Sequence, residues 1–279
     1  MMFRRCLPFV FALFPFGAHA QWLNFPTPGI PRTSDGKPNL AAPAPRLNGK
    51  PDLSGVWHVQ PTSNAEMKRL FGEGVDALNV PGMEADTISK YAINILLDYK
   101  PEEAPVKPAA LEIMKQRAGN DLPSSGCLPL GMPLNALLSE PFRIVHSPRM
   151  LAILYEADDK HRRIYLDGRA LPKQFDQPTW VGYSVGKWDR DTLIVETAGF
   201  NDKNPLDLMG HPHSEAMRIT ERFHRRDFGH MDVEMTFDDP QMYTKPFTNK
   251  FTYELWADSD IFEYVCSENE KDRAHGPAK

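Results

Sequence analysis

From Phe142 onward the chain alternates apolar and polar residues with a period of two. This constrains its fold more than any other feature. Successive side chains of an extended strand point to opposite faces, so such alternation marks half-buried strands. The candidate strands are FRIVHS (142–147), MLAILYE (150–156), RRIYLD (162–167), WVGYSVGKW (180–188), DTLIVETAG (191–199), SEAMRITERFHR (214–225), HMDVEMTFDD (230–239), KFTYELWA (250–257) and IFEYVCSE (261–268). The segments SPR, ADDK, DFG and DSD between them carry turn chemistry. Mostly short connections predict antiparallel neighbours. Residues 53–57 (LSGVW) add one more, for about ten strands, and a meander of that size closes because closure removes exposed edges. The expectation is a mainly β chain forming an antiparallel up-and-down barrel or a strongly curved sheet.

Helical spacing precedes the strands. Ser63 is placed to cap NAEMKRLF, which Gly72 ends. Residues 87–97 (TISKYAINILL) are apolar at helical intervals, and Pro108 opens AALEIMKQRAG, closed by Gly119. A helical insertion at about 63–119 is therefore expected to pack on the barrel or plug one end. Residues 21–51 are Pro-rich and polar, which predicts an extended arm rather than a packed element. The single barrel domain is expected over residues 52–279.

The first 20 residues, MMFRRCLPFVFALFPFGAHA, combine Arg4 and Arg5, an apolar run and Ala18-His19-Ala20. That is the pattern of a secretory signal peptide, too short to span a membrane. Its removal lowers Lys+Arg from 32 to 30 against 37 Asp+Glu, a net charge of −7. An acidic chain is a poor partner for nucleic acid or an anionic membrane, and no membrane insertion is expected once the leader is gone. The expected location is periplasmic or extracellular. Two cysteines remain, Cys127 and Cys266. In an oxidising compartment they predict one disulfide between the loop SSGCLPLGMP and the last strand, with two separately buried thiols as the alternative.

Chemistry-bearing residues concentrate in GHPHSEAMRITERFHRRDFGH (210–230). On an extended chain His211, His213, Glu215, Met217 and Ile219 share one face. The last two suggest that this face points inward, with the histidines at a barrel mouth. His211, His213 and Glu215 could then form a three-ligand site with an open position for one divalent ion, zinc or similar. Without a metal, His213 would act as base with Glu215 orienting it. Pro212 interrupts the strand geometry, which leaves a polar loop as the plainer reading. His224 and His230 flank the DFG turn beside Arg225 and Arg226, as expected of a charged hairpin end.

In RRIYLDGR, Arg163, Tyr165 and Asp167 share one face and Ile164 and Leu166 the other. Arg163 would stabilise developing negative charge if that polar face lines a cavity; otherwise it lies outside. Glu196 sits among apolar positions of DTLIVET, either as a buried acid with a raised pKa or as an ion-pair partner of Arg218 or Arg222. Asp238, Asp239 and Tyr243 fall in a turn-like FDDPQMYTKP. Tyr155, Trp180, Tyr183 and Tyr243 are candidate ligand-binding residues, and Trp57 and Trp188 could wall the same pocket or fill the core. There is no G-x-S-x-G, P-loop, dinucleotide G-x-G-x-x-G, C-x-x-C or H-E-x-x-H, so no nucleotide cofactor is expected.

PDLSGVW, with Gly55-Val56-Trp57, resembles the G-x-W start of lipocalin-like proteins, and with GYSVGKWDRDTLIVETAGF it resembles calycin-type barrels. More of the chain is similar to a family of secreted bacterial proteins known as hypothetical, through PDLSGVW, KYAINILLDYKPEEAP, CLPLGMP, QPTWVGYSVGKW, GHPHSEAMRITERF, FDDPQMYTKP and EYVCSENEKD. That resemblance implies an exported fold and carries no activity. The functional expectation is a barrel enzyme acting on a small, partly apolar molecule by hydrolysis, elimination or isomerisation. The alternatives are a non-catalytic lipocalin-like binding protein, which needs an apolar interior, and an interaction module tethered by the arm.

Overall fold

Alternation is realised along most of the expected strands in the computed structural model, which describes residues 26–78, 87–117 and 127–266. Two short strands, β1 (Arg46–Leu47) and β2 (Lys50–Pro51), make a hairpin. Nine more form a closed barrel: β3 (Gly55–Val59), β4 (Phe142–Ser147), β5 (Met150–Tyr155), β6 (Lys160–Tyr165), β7 (Tyr183–Asp189), β8 (Thr192–Ala198), β9 (Arg218–Arg225), β10 (His230–Asp238) and β11 (Phe247–Leu255). Each neighbours its successor, and β11 closes on β3 through Tyr253↔Val59, Glu254↔His58 and Leu255↔Trp57. Along β10, Met231, Val233, Met235 and Phe237 are buried and the residues between them are not.

Three of the strand expectations change. The pair β6–β7 is parallel, held only through Ile164↔Ser184 and Tyr165↔Val185. A parallel neighbour cannot follow by a tight turn, so residues 166–182 run back along the outside of the barrel as a strap. The stretch 261–265 is not a strand; β11 already completes the closure, and no free edge remains for it to join. Residues 214–217 precede β9 as a loop that Pro212 and the Ser214–Met217 turn keep off the ladder.

The arm also packs. Backbone hydrogen bonds run from Phe228 N to Ala42 O (2.7 Å) and from Gly229 N to Leu40 O (2.8 Å), and Arg32 forks onto Asp258. Arg46 pairs with Asp191 at 2.8 Å. These contacts all lie at the end of the barrel formed by the β4–β5, β7–β8 and β9–β10 turns, which the arm covers. Arg225 reaches up to it with Nη1 on the Asp52 carbonyl (2.5 Å) while stacking over Trp57 at 4.8 Å.

The helical insertion covers the opposite end. It comprises α1 (Asn64–Phe71), α2 (Lys90–Ile93), α3 (Pro108–Arg117) and α4 (Leu134–Leu137). Ser63 Oγ accepts from Glu66 N, and Gly72 closes α1 at φ +74°, as its position in sequence predicts. The helix expected over 87–97 shrinks to the four residues of α2, because Asn94 leaves helical geometry and its Oδ1 accepts from Leu96 N. Ile88, Tyr91, Ile95, Leu96, Leu134 and Leu137 join the barrel core. Cys127 and Cys266 form a disulfide that ties the insertion to the C-terminal segment. The leader, residues 1–20, lies outside the described residues, and no helix among the described residues is long and apolar enough to cross a membrane.

Candidate functional site

Polar side chains are costly to bury unless something is gained. In this chain they gather at the insertion end of the barrel. Asn135, Asn201, Asn204, Asp207, His211, His213, Ser214 and Asp239 are all buried there. They come from α4, from the long β8–β9 loop and from the β10–β11 loop.

The β8–β9 loop is stapled in place by carboxylates. Asp239 accepts from Ser214 N (2.6 Å) and Ser214 Oγ (2.8 Å), joining the two loops. Tyr243 donates its hydroxyl to Pro212 O at 2.8 Å; burial, then the nearby Asp207 and Asp239, push its pKa up. The Pro212 carbonyl between the two histidines is thus anchored. Asp207 is fully buried and accepts from Ile95 N (2.7 Å), His211 N (3.1 Å) and the His211 ring, whose Nδ1 lies 2.6 Å from Oδ2.

His213 packs edge-on to Phe200, with ring centroids 6.1 Å apart. Its Nδ1 faces Ser214 O at 3.3 Å, a contact that needs Nδ1–H as donor. Burial pushes its pKa down, so it is held neutral. Neither Nε2 is hydrogen-bonded among the described residues. Arg117, at the end of α3, donates Nη2 to Asp202 O (3.0 Å) and leaves Nη1 without a partner; burial lowers its pKa. Both amide atoms of Asn135 and Oδ1 of Asn204 are likewise buried and unpaired. Buried polar atoms are seldom left unsatisfied, so these donors and acceptors are unusual.

The remaining expected residues are scattered. Glu215 is exposed, two residues past the buried His213, because the chain turns there instead of extending. The set His211, His213 and Glu215 is therefore not assembled, and no group of three His, Cys, Asp or Glu able to hold a metal occurs among the described residues. Arg163 points outward, since Arg162 and Ile164 take the inward positions of β6. Asp167 pairs with Arg169 at 2.7 Å, and Tyr183 accepts from Arg169 at 3.0 Å. Glu196 is exposed and lies 3.9 Å from Lys187 rather than against Arg218 or Arg222. Trp180 is half-buried beneath the Lys160 ammonium at 5.7 Å. His224 and His230 do sit at a hairpin end, His230 on Asp227 at 2.7 Å.

Tyr155 lies inside the barrel, where burial raises its pKa to about 12. Beside it is a feature that alternation alone did not suggest. Arg162 and Glu221, each about 1% exposed, form a bidentate ion pair across the lumen. Ser184 Oγ (3.0 Å) and Thr197 Oγ1 (2.7 Å) complete the guanidinium's partners. Burial works against the Arg162 charge, but Glu221 more than offsets it and holds the pKa above its ordinary value. A lipocalin-like apolar interior is not what these inward positions build. Charged residues at alternate positions of β6 and β9, in register with inward Ile164 and Ile219, were the available signal.

Comparison of this chain with protein-family models, curated proteins and solved structures finds no match in any of the three.

Proposed function

We propose that this chain is an exported barrel enzyme that moves protons on a small, partly apolar molecule at the insertion end. The buried His211–Asp207 pair carries this reading. A carboxylate that accepts a hydrogen bond from Nδ1–H of an imidazole fixes its tautomer and leaves the Nε2 lone pair as a base. His213, held neutral, is a second group able to take or return a proton at Nε2. Asp207 is the orienting carboxylate, the role first expected for Glu215. The unpaired atoms of Asn135, Asn204 and Arg117 offer hydrogen bonds to a polar substrate group, and Phe200 offers an apolar wall. Proton abstraction and return is the step common to hydrolysis, elimination and isomerisation. Export rests on the leader-like first 20 residues together with the disulfide.

The test is substrate depletion. The mature wild-type protein and the variants His211→Asn and His213→Gln are incubated with a pool of small esters, lactones and hydroxy acids, followed by NMR. Wild type is expected to consume at least one component, with His211→Asn slower by roughly 100-fold or more, the range of general-base catalysis. Undiminished turnover in both variants would remove the histidines from the chemistry. Binding without turnover by wild type would favour a carrier instead.

A further inference from the structure

We infer that the outer face of β6 carries a second small-molecule site, built for a single-ring aromatic carboxylate. The strap 166–182 is forced outside the barrel by the parallel β6–β7 pair. That pair is only two residues long, so the first half of β6 is not covered by β7. Between strap and strand lies a pocket of about 300 Å³. This is at the small end of ligand pockets and suits one ring with a short substituent.

Its walls are specific. Tyr165 and Tyr183 stack with centroids 5.2 Å apart, and the Arg169 guanidinium lies 3.8 Å over Tyr165. Asp167 and the Tyr183 hydroxyl hold Arg169 there, so the stack is fixed before any ligand arrives. Phe175 enters from the strap. It lies against Gly199, where an added Cβ would come within 2.4 Å of its ring, and Gly199 has φ +77°. A glycine is required at that point for both reasons. The pocket thus keeps aromatic surface from Phe175 and Tyr183 available to a planar ring.

The polar contribution is unbalanced. Arg163 lines the pocket from β6 and carries no ion pair among the described residues. His161, on the same face, lines it too. No Asp or Glu lines it, while Gln177 and Thr179 supply neutral groups. A larger outer pocket near β10 differs in this respect: it is lined by Asp232 and Glu234 as well as Arg222 and Lys250, and Glu234 already pairs with Lys250 at 3.0 Å. An unpaired guanidinium beside aromatic walls is complementary to a carboxylate attached to a ring. Neither His211 nor His213 lines this pocket, and the site stands whether or not that pair is catalytic.

Benzoate is the probe, benzamide its uncharged counterpart and acetate its ringless one, each titrated into the full-length mature protein and followed by NMR and calorimetry. Benzoate is expected to bind and to shift the resonances of Tyr165, Tyr183 and Phe175. Benzamide and acetate should each bind at least ~10-fold more weakly, as should benzoate to Arg163→Gln, the loss expected for one charge-assisted contact. Arg163 is exposed, so the variant should keep the wild-type fold, checked by circular dichroism. His211→Asn should bind benzoate as wild type does. No benzoate binding at millimolar concentration, equal affinity for benzamide, or unchanged affinity in Arg163→Gln would each overturn the assignment.

Discussion

His211 Nδ1 and Asp207 Oδ2 lie 2.6 Å apart at a site where both side chains are buried. The same carboxylate accepts from the backbone nitrogens of Ile95 and His211. One group therefore orients the imidazole and joins the β8–β9 loop to the helical insertion. A substitution there disturbs both the ring's orientation and the attachment of the loop.

Asp207→Asn should release the imidazole from a single tautomer. Long-range nitrogen–proton correlation spectra are expected to show Nδ1-protonated His211 in the wild type and a mixture in the variant. The variant should also lose about 1–3 kcal/mol of stability, since the amide satisfies the three donors less well. An unchanged tautomer would mean that Asp207 does not orient the ring.

His213 provides a pH test. Its pKa in the folded chain lies below the ordinary 6.5 because burial disfavours the imidazolium. Below 6.5 the unfolded chain therefore binds more protons than the folded one, so stability falls as pH drops from 6.5 towards the folded value and is level above 6.5. His213→Gln is expected to flatten that part of the profile, measured by urea unfolding at several pH values. An equal slope in wild type and variant would contradict the depressed pKa.

The Arg162–Glu221 pair should show the asymmetry of buried charges. Glu221→Gln leaves a desolvated guanidinium and is expected to cost about 3–5 kcal/mol, whereas Arg162→Met with Glu221→Met should recover most of that loss. Calorimetric melting of the three proteins decides it. Equal destabilisation by the single and double changes would mean that the pair itself, and not the orphaned charge, supplies the stability.

Gly229→Ala tests the docked arm. An added Cβ would come within 2.4 Å of Leu40 Cβ, where the two backbones hydrogen-bond. The expected cost is roughly 1–3 kcal/mol. Faster proteolysis between residues 26 and 45 should accompany it. Wild-type cleavage rates would show that the arm's contacts there do not hold it.

The Cys127–Cys266 link closes a loop of 139 residues. Cys127→Ser with Cys266→Ser is expected to lower the unfolding free energy by at most about 4–5 kcal/mol in a chain-entropy picture, read as a lower urea midpoint. An unchanged midpoint would mean that the insertion and C-terminal segment are held by other contacts.

The barrel was legible from residue 142 onward because a period of two is a local property, set by which side chains one face must bury. Ser63, Gly72 and Pro108 marked helix ends for the same reason: caps and fixed φ act within one turn. Tertiary structure decided the rest. That the inward Arg162 finds a partner for its charge depends on Glu221, 59 residues away in sequence and opposite in space. His211 reads as a metal ligand beside His213 and Glu215 along the chain. It becomes half of a buried hydrogen-bonded pair only because the loop brings Asp207 against its Nδ1. The strap, and the pocket beneath it, follow from one parallel strand pair that no local pattern records. Alternation says which residues are inside; closure of the barrel says which of them meet.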